Sequence, residues 1–307
     1  MNYGIYFVEG FMRNRKITGI LNGAIAAASY GTNPLFALPL FNAGIGVNSV
    51  LFYRYAFAVI IYGLWLKFVK KISFNLTMKE FIPLFFLGIF FSLSSLTLFE
   101  AFKHIEAGIA CTILFIYPII VAIIMAIFFK EKITKTTIVS IILTSIGITL
   151  LYKGKTESLN LFGVFVVLLS ALLYALYIVG VKNIKAIKPV NREKMSFYVM
   201  LFGLFVYIIN LKFCTQLQMP HSPFLWLCLI GLAILPTIIS LETINIAIKL
   251  IGSTTTAILG ALEPLTAIVI GVMIFNETLT ARIITGIILI LSGVNLVVSK
   301  KTKKATP

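Results

Sequence analysis

The sequence predicts an all-α integral membrane protein with ten transmembrane helices, arranged as two inverted repeats of five helices. The first observation is composition, since 60% of the residues are apolar and the mean hydropathy is +1.04. The second is that apolar runs of about 20 residues, the length that crosses a bilayer, recur along the whole chain. The third is an internal duplication, because residues 101–154 align without a gap on residues 247–300.

The apolar runs define ten spans, which divide into two sets of five. An odd number of spans per repeat makes the second repeat face the opposite way in the membrane, as in many secondary transporters. The predicted spans are, in chain order, 17–41, 47–66, 80–101, 107–129, 136–152, 160–181, 195–213, 223–247, 252–275 and 281–299.

Identical residues at equivalent positions support the duplication. In the later spans they are Ala101/Ala247, Lys103/Lys249, Ile105/Ile251, Pro118/Pro264, Phe129/Phe275, Glu131/Glu277, Thr134/Thr280 and Gly147/Gly293. In the early spans they are Gly19/Gly163, Ala27/Ala171 and Tyr30/Tyr174, at an offset two residues shorter. We therefore expect one repeat at 12–153 and a second, inverted repeat at 158–304, with a polar linker between them.

The distribution of Lys and Arg predicts the orientation in the membrane. A net charge of +16 would suggest nucleic acid as the partner of a soluble protein, so the placement of the charges has to decide. Twenty of the 26 Lys and Arg residues fall on the side of the N-terminus, five fall on the other side, and Arg54 lies within a span. The positive-inside rule then predicts a multi-pass protein of the inner membrane with both termini in the cytoplasm and the lipid bilayer, not nucleic acid, as its partner.

The sequence predicts no cleaved signal, no catalytic residue, no metal and no cofactor. The basic stretch near Met12 follows the first apolar residues, whereas a signal peptide carries its basic residues first, and Met12 is an alternative start of translation. The chain contains no Asp, which removes the usual carboxylate for a nucleotide-bound magnesium ion. Cys111, Cys214 and Cys228 have no metal-binding spacing.

Four ionisable residues fall inside predicted spans, where each costs about 2.5–3.5 kcal/mol at a helix centre and needs a cavity or a partner. They are Arg54, Glu100, Glu242 and Glu263. Arg54 and Glu100 lie at similar predicted depth, and two interpretations are open. They form a structural salt bridge, or Arg54 binds the carboxylate of a substrate.

Glu263 stands halfway along the ninth span, directly before Pro264. The equivalent residues of the first repeat are Tyr117 and Pro118. An inverted two-fold axis would bring Tyr117 and Glu263 together near the midplane, so both are predicted to line a substrate pocket. Proline interrupts helical hydrogen bonding, and Pro118, Pro236 and Pro264 are therefore predicted hinges.

Polar residues are concentrated in the third and eighth spans, which occupy equivalent places in the two repeats. Ser95 belongs to the third span and Glu242 to the eighth, among other hydroxyl side chains. Hydroxyls within membrane helices commonly bond to their own backbone. Their concentration in two equivalent spans nevertheless favours a water-accessible cavity lined by spans three, four, eight and nine, with Ser95, Glu100 and Glu242 as further substrate-binding candidates.

These features resemble the drug/metabolite transporter superfamily, specifically its ten-helix EamA-type members, from about residue 17 to 299. The resemblance rests on the twin Pro118 and Pro264, the twin Glu131 and Glu277, the twin Gly147 and Gly293, Arg54 in the second span and the paired halves. It implies a monomeric or weakly associating carrier in which spans three, four, eight and nine surround a central pocket and the two halves alternate access. The central lysine cluster of phosphate-transporting relatives is missing, since Lys103 and Lys249 lie at span ends.

The expected function is secondary active export of an amino acid or a related small metabolite, of zwitterionic or cationic character. Proton coupling at Glu263 is left open. The alternatives are a drug or organic-cation efflux carrier, a metabolite importer, a lipid flippase and a membrane enzyme. An enzyme would cluster acid, base or metal-binding groups at one membrane face, a pattern that this sequence does not contain.

Overall fold

The fold is described from a computed structural model, which covers residues 2–105, 107–151, 160–275 and 280–303. The predicted linker, Glu277 and the predicted end of the second repeat at residue 304 lie outside these residues. Within them the protein is all-helical, as predicted. The α-helices are α1 Asn2–Tyr30, α2 Asn33–Asn42, α3 Val47–Trp65, α4 Met78–Ala101, α5 Ala107–Leu114, α6 Tyr117–Phe129, α7 Lys135–Leu151, α8 Leu161–Asn183, α9 Arg192–Asn210, α10 Pro223–Ala233, α11 Ser240–Ile251, α12 Ser253–Leu259, α13 Leu262–Phe275 and α14 Ala281–Lys303.

Five helical stretches are long and apolar enough to cross a membrane, judged by length and composition over the described residues. They are Val47–Lys70, Met78–Ala101, Leu161–Asn183, Arg192–Asn210 and Pro223–Ile251. Shorter apolar helices are Tyr117–Phe129, Lys135–Leu150 and Ala281–Leu296. Short apolar helices arise here partly because several predicted spans are interrupted.

The first predicted span, 17–41, is not continuous. Helix α1 ends at Tyr30 and α2 begins at Asn33, with Pro34 in the first turn of the new helix. A proline lacks the backbone N–H that a helix interior needs, but it fits the first turn, where that N–H has no helical partner. The prediction of one unbroken helix was therefore wrong at Gly31 and Thr32.

The fourth, eighth and ninth predicted spans are interrupted as well. The breaks in the fourth and ninth spans come just before Tyr117 and shortly before Glu263, so both repeats share this irregularity. In the eighth span, a π-helix, Ile234–Ile239, contains Pro236 and joins α10 to α11. A π-helical segment leaves backbone carbonyls without their usual helical partners, and such segments are frequent at functional sites.

The main helix contacts join the first half of the chain to the second. Helix α1 packs on α11, α4 on α8 and α9, α3 on α9, and α7 on α14. Helices α1 and α8 are equivalent in the duplication, and so are α4 and α11. The α1–α11 contact is therefore repeated as the α8–α4 contact, as a two-fold relation between the halves requires.

The contact between α7 and α14 shows the inversion directly. A Cβ atom at Gly147 would lie 2.7 Å from the carbonyl oxygen of Gly286, and one at Gly293 would lie 2.9 Å from that of Ser140. These residues form two equivalent pairs, 147 with 293 and 140 with 286, so the contact is reciprocal. Residue numbers rise along one helix where they fall along the other, and the equivalent helices are therefore antiparallel. The inverted two-repeat fold is confirmed.

We expect Gly147→Leu to destabilise the protein by about 1–3 kcal/mol or more, because its side chain would meet the backbone of α14. The readout is thermal unfolding of the purified protein in detergent. Ile146→Leu is the matched control, since Ile146 is the preceding residue and is 47% exposed. Equal melting temperatures for the two variants would contradict the close packing of α7 on α14.

Candidate functional site

A narrow cavity lies where the interrupted helices meet. Its empty volume is about 250 Å³, but the centre of a water molecule can move in only about 10 Å³ of it, which is room for about one water. A metabolite therefore needs the cavity to widen. The lining residues are Gly23, Ala26, Ala27, Tyr30, Tyr117, Tyr174, Ile244, Thr256, Gly260 and Glu263.

Two pairs of equivalent residues line this cavity. Tyr30 and Tyr174, which match in the duplication, stack with their ring centroids 6.4 Å apart and their planes at 15°. Tyr117 and Glu263 are the second pair, and the structure brings both to the same cavity. Residues related by a two-fold axis meet each other on that axis, so the cavity lies where the two inverted halves face each other.

The helix breaks and their small residues place Tyr117 and Glu263 at the cavity. The Tyr117 hydroxyl donates to the carbonyl of Ala257 at 3.0 Å and so ties α6 to α12. A Cβ atom at Gly260 would lie 1.6 Å from this hydroxyl, and one at Gly31 would lie 2.5 Å from the carbonyl oxygen of Glu263. Glycine at these two breaks is therefore what allows α6 and α1 to approach α12 and α13.

The carboxylate of Glu263 has aromatic neighbours and no ionic partner. Among the residues whose side chains the structure describes, none donates a hydrogen bond to it or forms an ion pair with it. The rings of Tyr30, Tyr117 and Tyr174 line the same cavity. A carboxylate in a cavity lined by several tyrosines suits a cation, because both the negative charge and the ring quadrupoles can attract it.

Arg54 lies outside this cavity and is fully buried on α3. Its Nε donates to Thr237 Oγ1 at 2.5 Å, one terminal nitrogen to Asn33 Oδ1 at 3.0 Å, and the other to the carbonyl of Pro236 at 3.0 Å. The guanidinium thus joins the start of α2 to the π-helix. Its Cζ atom lies 5.7 Å from the ring centroid of Tyr30, a residue of the cavity lining.

The predicted pairing of Arg54 with Glu100 is wrong. Glu100 lies at the end of α4 and forms an ion pair with Lys103 at 2.9 Å, in which the side chain of Lys103 is 53% exposed and that of Glu100 is 37% exposed. Arg54 instead turns to neutral acceptors on α2 and the π-helix. Because several neutral oxygens disperse its charge, the buried guanidinium is solvated without a carboxylate.

The third span does not contribute to the cavity lining, contrary to the prediction of spans three, four, eight and nine. Spans one and six take its place through Tyr30 and Tyr174. Ser95 is buried and bonds to Phe91 O at 3.2 Å and lies 3.3 Å from the Tyr55 hydroxyl. Ser94 and Ser170 exchange hydrogen bonds between α4 and α8. The hydroxyls of the third span therefore serve helix packing.

Glu242 is also separate from the cavity. It lies on α11 and accepts hydrogen bonds from Tyr62 on α3 and Ser196 on α9, each at 2.7 Å. The sequence grouped Glu242 with Glu263 as substrate-binding candidates. The structure instead gives the two carboxylates different neighbours, which are two hydroxyl donors at Glu242 and three tyrosines at Glu263.

Sequence reasoning missed Tyr30 and Tyr174 as site residues, although the signal was present. Both were recognised as identical residues at equivalent positions of the duplication. An inverted repeat brings such positions together only near its axis, and large side chains that match there are candidates for a central site.

Comparison with known proteins identifies the repeats. The model of the EamA-like transporter family matches the chain twice, at residues 17–153 and 161–299. An uncharacterized transporter of Archaeoglobus fulgidus is 27% identical over 213 residues, which cover 68% of this chain and 73% of the relative. An uncharacterized transporter of Synechocystis is 30% identical over 218 residues, which cover 68% of this chain and 64% of the relative.

A solved crystal structure has the same fold. It superposes with a TM-score of 0.74 and covers 94% of this chain and 99% of its own. The two sequences are 16% identical, so this similarity concerns the fold alone. It extends over nearly the whole length of both chains.

Proposed function

Because the chain belongs to the EamA-like transporter family of the drug/metabolite transporter superfamily, we propose that it is a secondary active exporter of amino acids or related amine-bearing metabolites. It is a multi-pass membrane transporter and not an enzyme. The proposal adds a substrate class, a direction and the inner membrane as its location. Both termini would lie in the cytoplasm, as the positive-inside rule predicts.

The observation that carries the substrate class is the environment of Glu263. Its carboxylate lines a cavity together with three tyrosine rings, and it has no ionic partner among the described side chains. Such a site favours an ammonium group, which binds the carboxylate directly and the ring faces through cation–π attraction. The glycines and alanines that also line the cavity leave room for the rest of a small molecule once the cavity widens.

Proton coupling follows from the same carboxylate in this proposal. A carboxylate held within a membrane protein is costly when it is charged and unpaired, so it binds either the substrate ammonium or a proton. Release of the substrate outside would then be followed by binding of a proton to Glu263. Return of the protonated carrier would complete an exchange of one amine for one proton.

Alternating access would widen the cavity first towards one side and then towards the other. The two halves meet at the cavity, whose lining residues come from α1 and α6 of the first half and from α8, α11 and the interrupted segment α12–α13 of the second. Pro118 stands in the first turn of α6, Pro264 near the start of α13, and Pro236 in the π-helix. We propose these three positions as the hinges about which the halves rock, because Pro118 and Pro264 mark the breaks after which α6 and α13 begin anew and Pro236 lies in the π-helix.

A second candidate function is efflux of larger organic cations. The only charged residue among the cavity lining that the structure describes is Glu263, and the lining offers no Lys or Arg for a substrate carboxylate. A cation without a carboxylate would therefore fit the same chemistry. A zwitterionic amino acid needs a further donor for its carboxylate, which the hydroxyl groups of Tyr30, Tyr117 and Tyr174 would have to supply once the cavity widens.

The test is untargeted metabolite profiling of culture medium and cell extract. Cells that express the wild type are compared with cells that express Glu263→Gln at equal membrane abundance. An amine-bearing metabolite should accumulate in the medium and fall inside the cells only with the wild type. If media and extracts are indistinguishable, the proposed export is wrong, and uptake or lipid movement becomes the function to test.

A further inference from the structure

Glu242 is a membrane-embedded carboxylate held by hydroxyl groups from both halves of the protein. The Tyr62 hydroxyl on α3 and the Ser196 hydroxyl on α9 both donate to its Oε2 atom at 2.7 Å. Helix α3 belongs to the first half, whereas α9 and α11 belong to the second. The state of this carboxylate is therefore tied to the junction between the halves.

The surrounding hydrogen bonds show that Ser196 donates to Glu242 and does not accept from it. Asn245 Nδ2 donates to the Ser196 oxygen at 3.1 Å, and the Tyr177 hydroxyl donates to Asn245 Oδ1 at 2.5 Å. The Ser196 oxygen accepts from Asn245, so the single Ser196 hydrogen is available for Glu242. Both hydroxyl hydrogens then meet a carboxylate that only accepts, which is the pattern of an ionised carboxyl group.

The same geometry provides for the protonated form. The Ser196 oxygen also lies 3.1 Å from the carbonyl of Arg192, one turn back on α9. Rotation of the Ser196 hydroxyl would direct its hydrogen to that carbonyl. The oxygen could then accept from both Asn245 and a protonated Glu242, and every donor and acceptor would keep a partner.

The charged groups around Glu242 leave it without an ion pair among the described residues. Arg192 and Glu193 at the start of α9 act on it with opposite signs through space. Lys249 on α11 bonds to the Val190 carbonyl at 3.1 Å and not to Glu242. The neighbouring helices α3 and α8 contribute the phenols of Tyr62 and Tyr177.

We propose that Glu242 is a proton-binding site, distinct from the cavity at Glu263, whose occupation switches the contact between α3, α9 and α11. The proton comes from water on the side of the membrane where α9 begins, and binds to the carboxylate. One O–H bond of a hydronium ion breaks, and one O–H bond forms on the Glu242 carboxylate. The Ser196 hydroxyl hydrogen then turns from Glu242 to the Arg192 carbonyl. The inference rests on the proposed transport function only for its consequence, which is a proton-dependent junction between the halves.

Proton binding to Glu242 is tested without any transport substrate, by infrared difference spectroscopy of the purified protein in lipid during a pH titration. Protonated carboxyl groups absorb apart from ionised ones, and the difference between the spectra of a variant and the wild type assigns a band to the substituted residue. Glu242→Gln should lose one pH-dependent carboxyl band, and Glu263→Gln should lose another. Ser196→Ala should shift the frequency of the Glu242 band, because that carboxyl group loses a hydrogen-bond partner, and should leave the Glu263 band in place.

The outcomes separate this inference from the transport proposal. A Glu242→Gln titration that superimposes on the wild type would overturn the proton site while leaving the role of Glu263 untouched. The Glu242 band could instead change when sodium chloride replaces potassium chloride and stay constant with pH. That result would mean that Glu242 binds a metal cation and not a proton, and it would also overturn the proposal. If Glu242→Gln does not fold, Tyr62→Phe and Ser196→Ala, which keep the carboxyl group, provide the frequency shift that decides.

Discussion

Replacing Glu263 by Gln is expected to reduce transport by on the order of tenfold to a hundredfold, with membrane insertion unchanged. A charge-assisted contact contributes about 1.5–3 kcal/mol, and each 1.4 kcal/mol corresponds to about a tenfold change in affinity. The amide has nearly the same shape as the carboxyl group but cannot carry its charge or exchange a proton. The measurement is transport of the amine identified by profiling, into liposomes that contain purified protein.

The pH dependence distinguishes a coupling residue from a binding residue at Glu263. In the wild type the rate should change with pH, because proton and ammonium compete for one carboxylate. In Glu263→Gln the residual transport rate should lose this pH dependence, because the amide does not bind a proton in exchange for an ammonium group. A variant that transports at normal rates across the whole pH range would remove Glu263 from the mechanism.

Glu100→Gln is the matched control for this experiment. Glu100 is also a glutamate within a predicted span, but it lies at the end of α4 in an exposed pair with Lys103. Such surface pairs contribute about 0–1 kcal/mol. Transport by this variant should therefore stay close to that of the wild type, and a large loss would give Glu100 the substrate-binding role that the sequence proposed for it.

The two-fold relation explains why part of the site was accessible from sequence. Tyr117 and Glu263 occupy equivalent positions beside equivalent prolines, and an inverted repeat places such positions on either side of its axis. That reasoning needs only the alignment of the halves and a count of spans. It predicts that Tyr117 and Glu263 lie close together, and both residues line the cavity.

The contacts of Arg54 show what sequence could not supply. Its partners, Asn33 and Thr237, are separated from it by 21 and 183 residues. They become neighbours only because α2 starts anew at Asn33 and the eighth span turns π-helical around Pro236. Pairing by charge favoured Glu100, since sequence shows which residues are charged but not which neutral carbonyls and hydroxyls a helix break exposes.

Replacing Arg54 by Met is expected to destabilise the protein by on the order of 3 kcal/mol. The substitution leaves the Pro236 carbonyl and Asn33 Oδ1 buried without the donors that now satisfy them, and each such loss costs about 1–3 kcal/mol. It also removes the desolvation cost of the buried charge, so the net effect is smaller than the sum of the lost contacts. Thermal unfolding in detergent gives the measurement.

Arg54→Lys separates the charge from the geometry of the guanidinium. Lysine keeps the positive charge but presents it as a point, whereas the three contacts of Arg54 spread over the planar fork to reach α2 and the π-helix. The lysine variant should therefore recover only part of the stability lost in Arg54→Met. If Arg54 binds a substrate carboxylate instead, the expected pattern is different, with both variants as stable as the wild type and both impaired in transport.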